Sequence, residues 1–200
     1  MPEESQEIVL ASASPRRSAL LEKVGVRCQV IPSNTDEVLI AEETAEAHAV
    51  RLSRDKALEV ARRQPVAGRW FIGSDTIVVL DDAILGKPAD AAAARTMLNS
   101  LSGRRHRVIS GYAVHDRVSG RTISDAVVTK VFFKELTSRE IEGYIATGEP
   151  FDKAGAYAIQ GIGAFMVPRI EGSYTNVVGL PLCEVIAALE ELGAIELFDE

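Results

Sequence analysis

The sequence predicts an α/β fold, a mixed and twisted sheet with helices on both sides of a cleft. Three observations carry that expectation. Short apolar strands and capped helices follow one another without strict alternation, so the sheet is mixed. Two long β-patterned stretches, 107–116 and 122–135, flank Ser119-Gly120, a hairpin signal. Helix starts and stops recur between the strands as recognisable cap residues. A length of 200 residues suits one domain or two tightly joined lobes, and 1–200 is taken as a single domain.

Taken in order, 8–11 is a short buried strand, and a polar turn leads into a helix over about 15–24. Ser14 is a suitable N-cap, Pro15 fits the first helical position and Gly25 is a natural stop. Residues 28–31 form a second short strand, and a helix runs over about 44–63. Strands follow at 70–72 and 76–80, with a turn at Asp81-Asp82 leading into 83–85. Asp90 caps a third helix ending near Gly103. After the hairpin, Thr137 and Glu140 have capping-box spacing for a helix that stops at 148–150. Residues 164–170 read as a strand, and 181–192 as a closing helix stopped by Gly193.

A net charge of −7 argues against a general nucleic-acid binder, because such a chain gains nothing from a phosphate backbone. Any phosphate site must be a local basic pocket. Cys28 and Cys183 fit no metal or redox spacing and read as small buried apolar residues. The N-terminal stretch lacks the basic and apolar regions of a signal peptide, and no apolar run reaches the ~20 residues needed to span a bilayer. The expectation is a cytoplasmic protein without a membrane partner.

Six regions could carry chemistry. In LASASPRR (10–17) a strand feeds a small-residue loop that opens onto a helix N-terminus, where free N–H groups favour an anion. Ser12 and Ser14 add hydroxyls, and Arg16 and Arg17 can fork onto phosphate oxygens. An ordinary capped helix with two solvated arginines would look the same. The segment lacks the Gly-Lys-Ser/Thr of a P-loop. Lys56 shares a helical face with Ala49, Leu52 and Val60, where a lysine normally snorkels to solvent. The alternative is that this face lines a cleft where an anion waits.

Asp75 lies between apolar strand residues in IGSDTIVV (72–79). A carboxylate there needs a cation, a metal or a set of donors beside it. Asp36 and Glu37 read as a solvated loop pair, yet with Asp75 they could supply the hard oxygen ligands that Mg²⁺ prefers. Gly86-Lys87-Pro88 is a rigid turn presenting one lysine. AGAYAIQG (154–161) and GSYTNVVGLPL (172–182) are dense in glycine, which suits backbone brought close to a ligand or another strand. Gln160 offers the donor and acceptors needed to read a nucleobase edge. His48, His106 and His115 show no metal spacing, and no nucleophile-elbow pattern occurs.

LASASPRR, the DE at 36–37, RDKA around Lys56, GSDTIVV (73–79), LGKP (85–88), AGAYAIQGIGAFMV (154–167) and EGSYTNVVGLPL (171–182), in this order, resemble the Maf family of nucleotide pyrophosphatases. The resemblance runs over about 8–192. It implies two lobes around a deep cleft, similar to inosine triphosphate pyrophosphatases, and cleavage of nucleoside triphosphates between the α- and β-phosphates. It implies a divalent cation, Mg²⁺ or Mn²⁺, near Glu37 and Asp75. Asp75 matches the family's proton acceptor, and Arg17, Thr76 and Gln160 match positions tied to substrate choice. Ser12, Glu37, Lys56 and Lys87 match polar residues of the phosphate and metal site, beside which Arg16 is placed as a further phosphate contact. SPRR, SDT and YAIQG look like the branch acting on dTTP and UTP, and Ser74 stands where alanine is frequent. The readings kept beside it are a purine- or 7-methyl-GTP-directed pyrophosphatase and a regulator of septation that binds a partner protein. Assembly is left open, with a homodimer as the state to test.

Overall fold

The computed structural model describes residues 7–198. Its strands are β1 (Ile8–Leu10), β2 (Gln29–Val30), β3 (Trp70–Leu80), β4 (Ala83–Leu85), β5 (Arg105–Asp116), β6 (Thr122–Phe132) and β7 (Arg169–Glu171). Its helices are α1 (Pro15–Lys23), α2 (Ala45–Arg62), α3 (Ala91–Leu101), α4 (Ser138–Ala146), α5 (Tyr174–Val178) and α6 (Leu182–Glu191). The strands form one seven-stranded sheet in the order β2-β1-β3-β5-β6-β7, with β4 paired to β3. β1 runs parallel to β2 and to β3, whereas β4 pairs antiparallel with β3 and β7 antiparallel with β6. The expected mixed α/β sheet is therefore present.

The described chain divides into two compact units, the first built from residues 7–75, 110–127 and 179–198, the second from 76–109 and 128–178. Each has its own core. In the first, Val9 and Ala11, Phe71, Ala113 and the α2 residues Ala57, Val60 and Ala61 pack together. In the second, Val78 and Leu80 meet Leu98 and Leu101 of α3, Ile141 and Tyr144 of α4, and Tyr157 and Met166. Among the described residues no helix is long and apolar enough to cross a membrane.

Local signals account for most boundaries. Thr44 caps α2 by accepting from Ala47 N, and Asp90 caps α3 by accepting from Ala93 N. Thr137 and Glu140 form the expected reciprocal capping box at α4. β5 turns into β6 through Gly120, whose φ of 72° suits glycine and whose N–H donates to Asp116 O at 2.8 Å.

Two stretches differ from the sequence expectation. Residues 70–80 are one strand rather than two, because Gly73-Ser74-Asp75, which reads as a break, continues the extended chain. A Cβ at Gly73 would lie 2.0 Å from Ser53 O and 2.8 Å from Ala57 N, so the glycine is there to let α2 approach. Gly111 of β5 does the same at Ala49, whose carbonyl oxygen would be 2.0 Å from a Cβ. Residues 164–170 are not a strand throughout. A 3-10 turn occupies Ile162–Met166, where Ala164 N donates to Gly161 O and Val167 N to Ala164 O, and the strand β7 begins only at Arg169. The N-cap at Ser14 also differs, since its side chain makes no capping bond, and the cysteines are not both buried: Cys28 is half-buried and Cys183 is exposed.

Candidate active site

The first unit holds six of the residues singled out from sequence, Ser12, Arg16, Arg17, Glu37, Lys56 and Asp75, and α2 carries the one that joins the two carboxylates. Its buried face carries Ala49, Leu52, Lys56 and Val60 as the spacing predicts. Lys56 does not snorkel to solvent. It is only 8% exposed, and its Nζ donates at 2.6 Å both to Asp75 Oδ1 and to Glu37 Oε1. Asp75, 6% exposed in the middle of β3, thus has the partner that its burial requires, and that partner is a cation.

Glu37 itself is exposed, on a loop tied to α2 on both sides. Ser33 Oγ and Asn34 N donate to Glu59 Oε2 at 2.9 and 3.1 Å before it, and Arg51 Nη2 donates to Val38 O at 3.0 Å after it. The Arg63 guanidinium beside Glu59 holds that carboxyl down at a pKa of about 2, so this anchor is ionised throughout the neutral range. Asp36 is exposed next to Glu37.

The loop between β1 and α1 brings in Ser12 and Arg17. Ser12 Oγ accepts from Ser14 N at 3.2 Å and from Arg17 Nη1 at 2.8 Å, so Ser12 rather than Ser14 organises the helix entry. Arg17 Nε donates to Gly179 O at 2.7 Å. The same carbonyl accepts from Ser74 Oγ at 3.3 Å, and Ser74 also donates to Gly111 O at 2.9 Å. Burial lowers the Arg17 pKa, and the carboxylates of Asp75 and Glu37 oppose that drop while Arg16 adds to it. These four charges therefore share one neighbourhood. Arg16 is half-buried on the first turn of α1.

Thr76, Lys87 and Gln160 belong to the second unit. Thr76 follows Asp75 directly along β3 and is half-buried. Lys87 is exposed on the turn after β4, where Gly86 O accepts from Gly155 N at 3.1 Å. Gln160 is exposed in a turn closed by Gly161 N donating to Ala158 O at 3.3 Å. His106 is buried, its Nε2 lies 2.8 Å from the Tyr157 hydroxyl, and burial drops its pKa to about 4.

Sequence reasoning missed two positioning groups, the Gly179 carbonyl and the Ser74 hydroxyl. The glycine density of 172–182 hinted at close backbone approach, but nothing in a sequence says which carbonyl an arginine will meet. Among the described residues no group of three or more His, Cys, Asp or Glu side chains could hold a metal ion by itself. What this site offers a cation is two carboxylates on one ammonium. That fits an ion such as Mg²⁺, which binds through one or two carboxylates and takes its remaining ligands from phosphates and water.

Comparison with known proteins identifies the family. Residues 7–192 match the family model described as Maf-like protein. A protein of Syntrophotalea carbinolica named dTTP/UTP pyrophosphatase is 68% identical over 191 residues, covering 96% of this chain and 87% of that protein. Proteins of the same name from Geotalea uraniireducens and Geobacter metallireducens are 56% and 57% identical, each covering 98% of this chain and 100% of the relative. A crystal structure titled nucleoside-triphosphatase / dITP/XTP pyrophosphatase, from Mycobacterium abscessus, aligns with a TM-score of 0.44 at 16% identity, over 96% of this chain and 99% of that one. That likeness is slight.

Proposed function

Because the chain belongs to the Maf-like protein family, we infer that it hydrolyses nucleoside triphosphates to the monophosphate and pyrophosphate, with dTTP and UTP preferred. The carrying observation is the buried ammonium of Lys56 joined at 2.6 Å to Asp75 and Glu37, with Arg17 in the same electrostatic neighbourhood. Such a set can hold a polyanion and accept a proton in one place.

Arg17 and Lys56 hold the triphosphate, with Ser12, Arg16 and Lys87 as further contacts. As phosphate oxygens reach Lys56, the ammonium exchanges a carboxylate for a phosphate. A water then attacks the α-phosphorus, the bond to the bridging oxygen breaks, and pyrophosphate leaves. Asp75 accepts the proton of that water, on the oxygen that Lys56 does not occupy. Glu37 and Asp75 would hold a divalent cation, which when bound offsets charge developing on the leaving group.

Base choice is assigned to Thr76 and Gln160. The amide of Gln160 can pair with the imide edge of thymine or uracil, whereas cytosine presents a different donor and acceptor order. Unpaired buried groups cost about 1–3 kcal/mol each, enough for a tenfold to hundredfold preference.

The test is a hydrolysis screen over dTTP, UTP, CTP, GTP, ITP and 7-methyl-GTP, with and without a chelator, scoring pyrophosphate against orthophosphate. The expected result is cation-dependent pyrophosphate release, fastest from dTTP and UTP. Preference for a purine nucleotide would overturn the substrate reading. Orthophosphate as first product, or activity that survives chelation, would overturn the mechanism.

A further inference from the structure

One ionisable cluster in the second unit takes no part in the mechanism above. After α4, Gly148 turns the chain at a φ of 78° and places Glu149 at the start of a 3-10 turn, Glu149–Asp152. Glu149 Oε1 accepts from the Tyr144 hydroxyl at 2.8 Å and from Gly163 N at 3.0 Å, and its Oε2 accepts from Ile162 N at 2.9 Å. The Tyr144 hydroxyl in turn accepts from Ala158 N at 3.2 Å. One carboxylate and one phenol thus gather three backbone N–H groups from residues 158–163. Those groups bracket the Ala158–Gly161 turn, whose third residue is Gln160.

The glycines on either side are shaped to this clamp. A Cβ at Gly161 would lie 2.3 Å from Glu149 Oε2, and one at Gly163 would lie 2.8 Å from the Tyr144 hydroxyl. Both glycines leave gaps through which the two side chains reach the backbone. Burial opposes ionisation of Glu149, but the N–H groups of Gly163 and Ile162 and the Tyr144 hydroxyl outweigh it and hold its pKa below the usual carboxylate value. Tyr144 itself is buried on α4 as a member of the core of its unit, which anchors the clamp there, and it also lies edge-on to the exposed Phe165.

We propose that Glu149 and Tyr144 are positioning residues for base selection, fixing the 158–163 segment so that the Gln160 amide meets the base in one register. The proposal rests on Gln160 reading the base. Discrimination by a single amide demands placement within about 0.5 Å, and an exposed glutamine beside glycine has no such precision of its own. The clamp supplies it from backbone bonds, without touching substrate.

The experiment measures kcat/KM for dTTP and CTP on the parent, Gln160→Ala, Glu149→Gln, Tyr144→Phe and the Glu149→Gln/Gln160→Ala double variant. The glutamine amide keeps the size of Glu149 but turns one acceptor into a donor facing an N–H. The dTTP-to-CTP ratio is independent of how much enzyme is folded, so a general stability loss does not move it. Glu149→Gln should lower that ratio about tenfold, chiefly by raising KM for dTTP, with a smaller fall in Tyr144→Phe. The double variant should be no less selective than Gln160→Ala alone. Amide hydrogen exchange at Ile162 and Gly163 should speed up at least tenfold in Glu149→Gln. An unchanged ratio in Glu149→Gln, where Gln160→Ala does lower it, overturns the positioning role and leaves base reading intact. If Gln160→Ala leaves the ratio unchanged as well, base reading by Gln160 is wrong and the positioning role falls with it.

Discussion

Lys56 and Glu149 are both ionisable side chains held by several partners, yet the partners differ in kind. Lys56 in the first unit meets two carboxylates, one buried and one on an exposed loop. Glu149 in the second unit meets mostly backbone N–H groups. Side-chain partners can swing away when a triphosphate arrives, so the set around Lys56 can re-pair during a reaction. Backbone partners move only with the chain, so the set around Glu149 preserves a shape. The difference separates a region suited to chemistry from one suited to measurement.

The largest expected effect tests the Lys56 side of that contrast. Lys56→Met leaves the Asp75 carboxylate buried without its cation, which should lower folding stability by about 3–5 kcal/mol in a denaturant titration. Adding Asp75→Asn should restore part of the loss. A double variant no more stable than the single one would show that the two charges are not coupled.

Asp75→Asn alone keeps shape and leaves Lys56 its bond to Glu37. Turnover should fall about 10²-fold or more, with the melting temperature little changed. Near-normal turnover by the folded variant would place the base elsewhere.

Arg17→Ala removes bonds to Gly179 O and Ser12 Oγ as well as the charge offered to phosphate. The expected loss is tenfold to hundredfold in kcat/KM, worth roughly 1.5–3 kcal/mol. Kinetics indistinguishable from the parent would mean that the arginine serves only the loop.

His106 adds a third case, a buried group that gives up its charge instead of pairing it. Its pKa falls from an ordinary 6.5 to about 4, so the unfolded chain takes up a proton first as pH drops. Stability should therefore decline below about pH 6.5, by roughly 1 kcal/mol between pH 6.5 and 5.5 from this group alone. A His106→Phe variant should show a correspondingly shallower decline. An equal slope in both proteins would assign the acid sensitivity to other groups.

What the sequence revealed and what it hid follow from the range of the interactions. The Asp90 cap and the Thr137–Glu140 box depend on residues three apart, and both are where the spacing puts them. Asp75 demanded a buried partner on physical grounds, although its being Lys56 required the fold. β3 looked broken because Gly73 and Asp75 are poor strand residues in isolation. Only α2 packed against them makes the strand continuous, since it needs the glycine's missing Cβ and supplies the aspartate's cation. Glu149 gave no signal at all, for two of its three partners are main-chain N–H groups of residues 162 and 163, which no side-chain pattern encodes, and the third is the Tyr144 hydroxyl.

Gly73 and Gly111 set α2 against two strands at backbone contact, and the atoms nearest Gly73, Ser53 O and Ala57 N, bracket Lys56 in the chain. The helix therefore has no slack through which the lysine could drift. Immobilising a lysine side chain costs about 1.5–2 kcal/mol in lost rotamer freedom. Here that entropy is given up when the protein folds, before any nucleotide arrives. An anion that meets Lys56 finds it already ordered, and its binding energy remains available for the transition state. Restoring a methyl group at Gly73 would act at a distance, by loosening a charge that the methyl never touches.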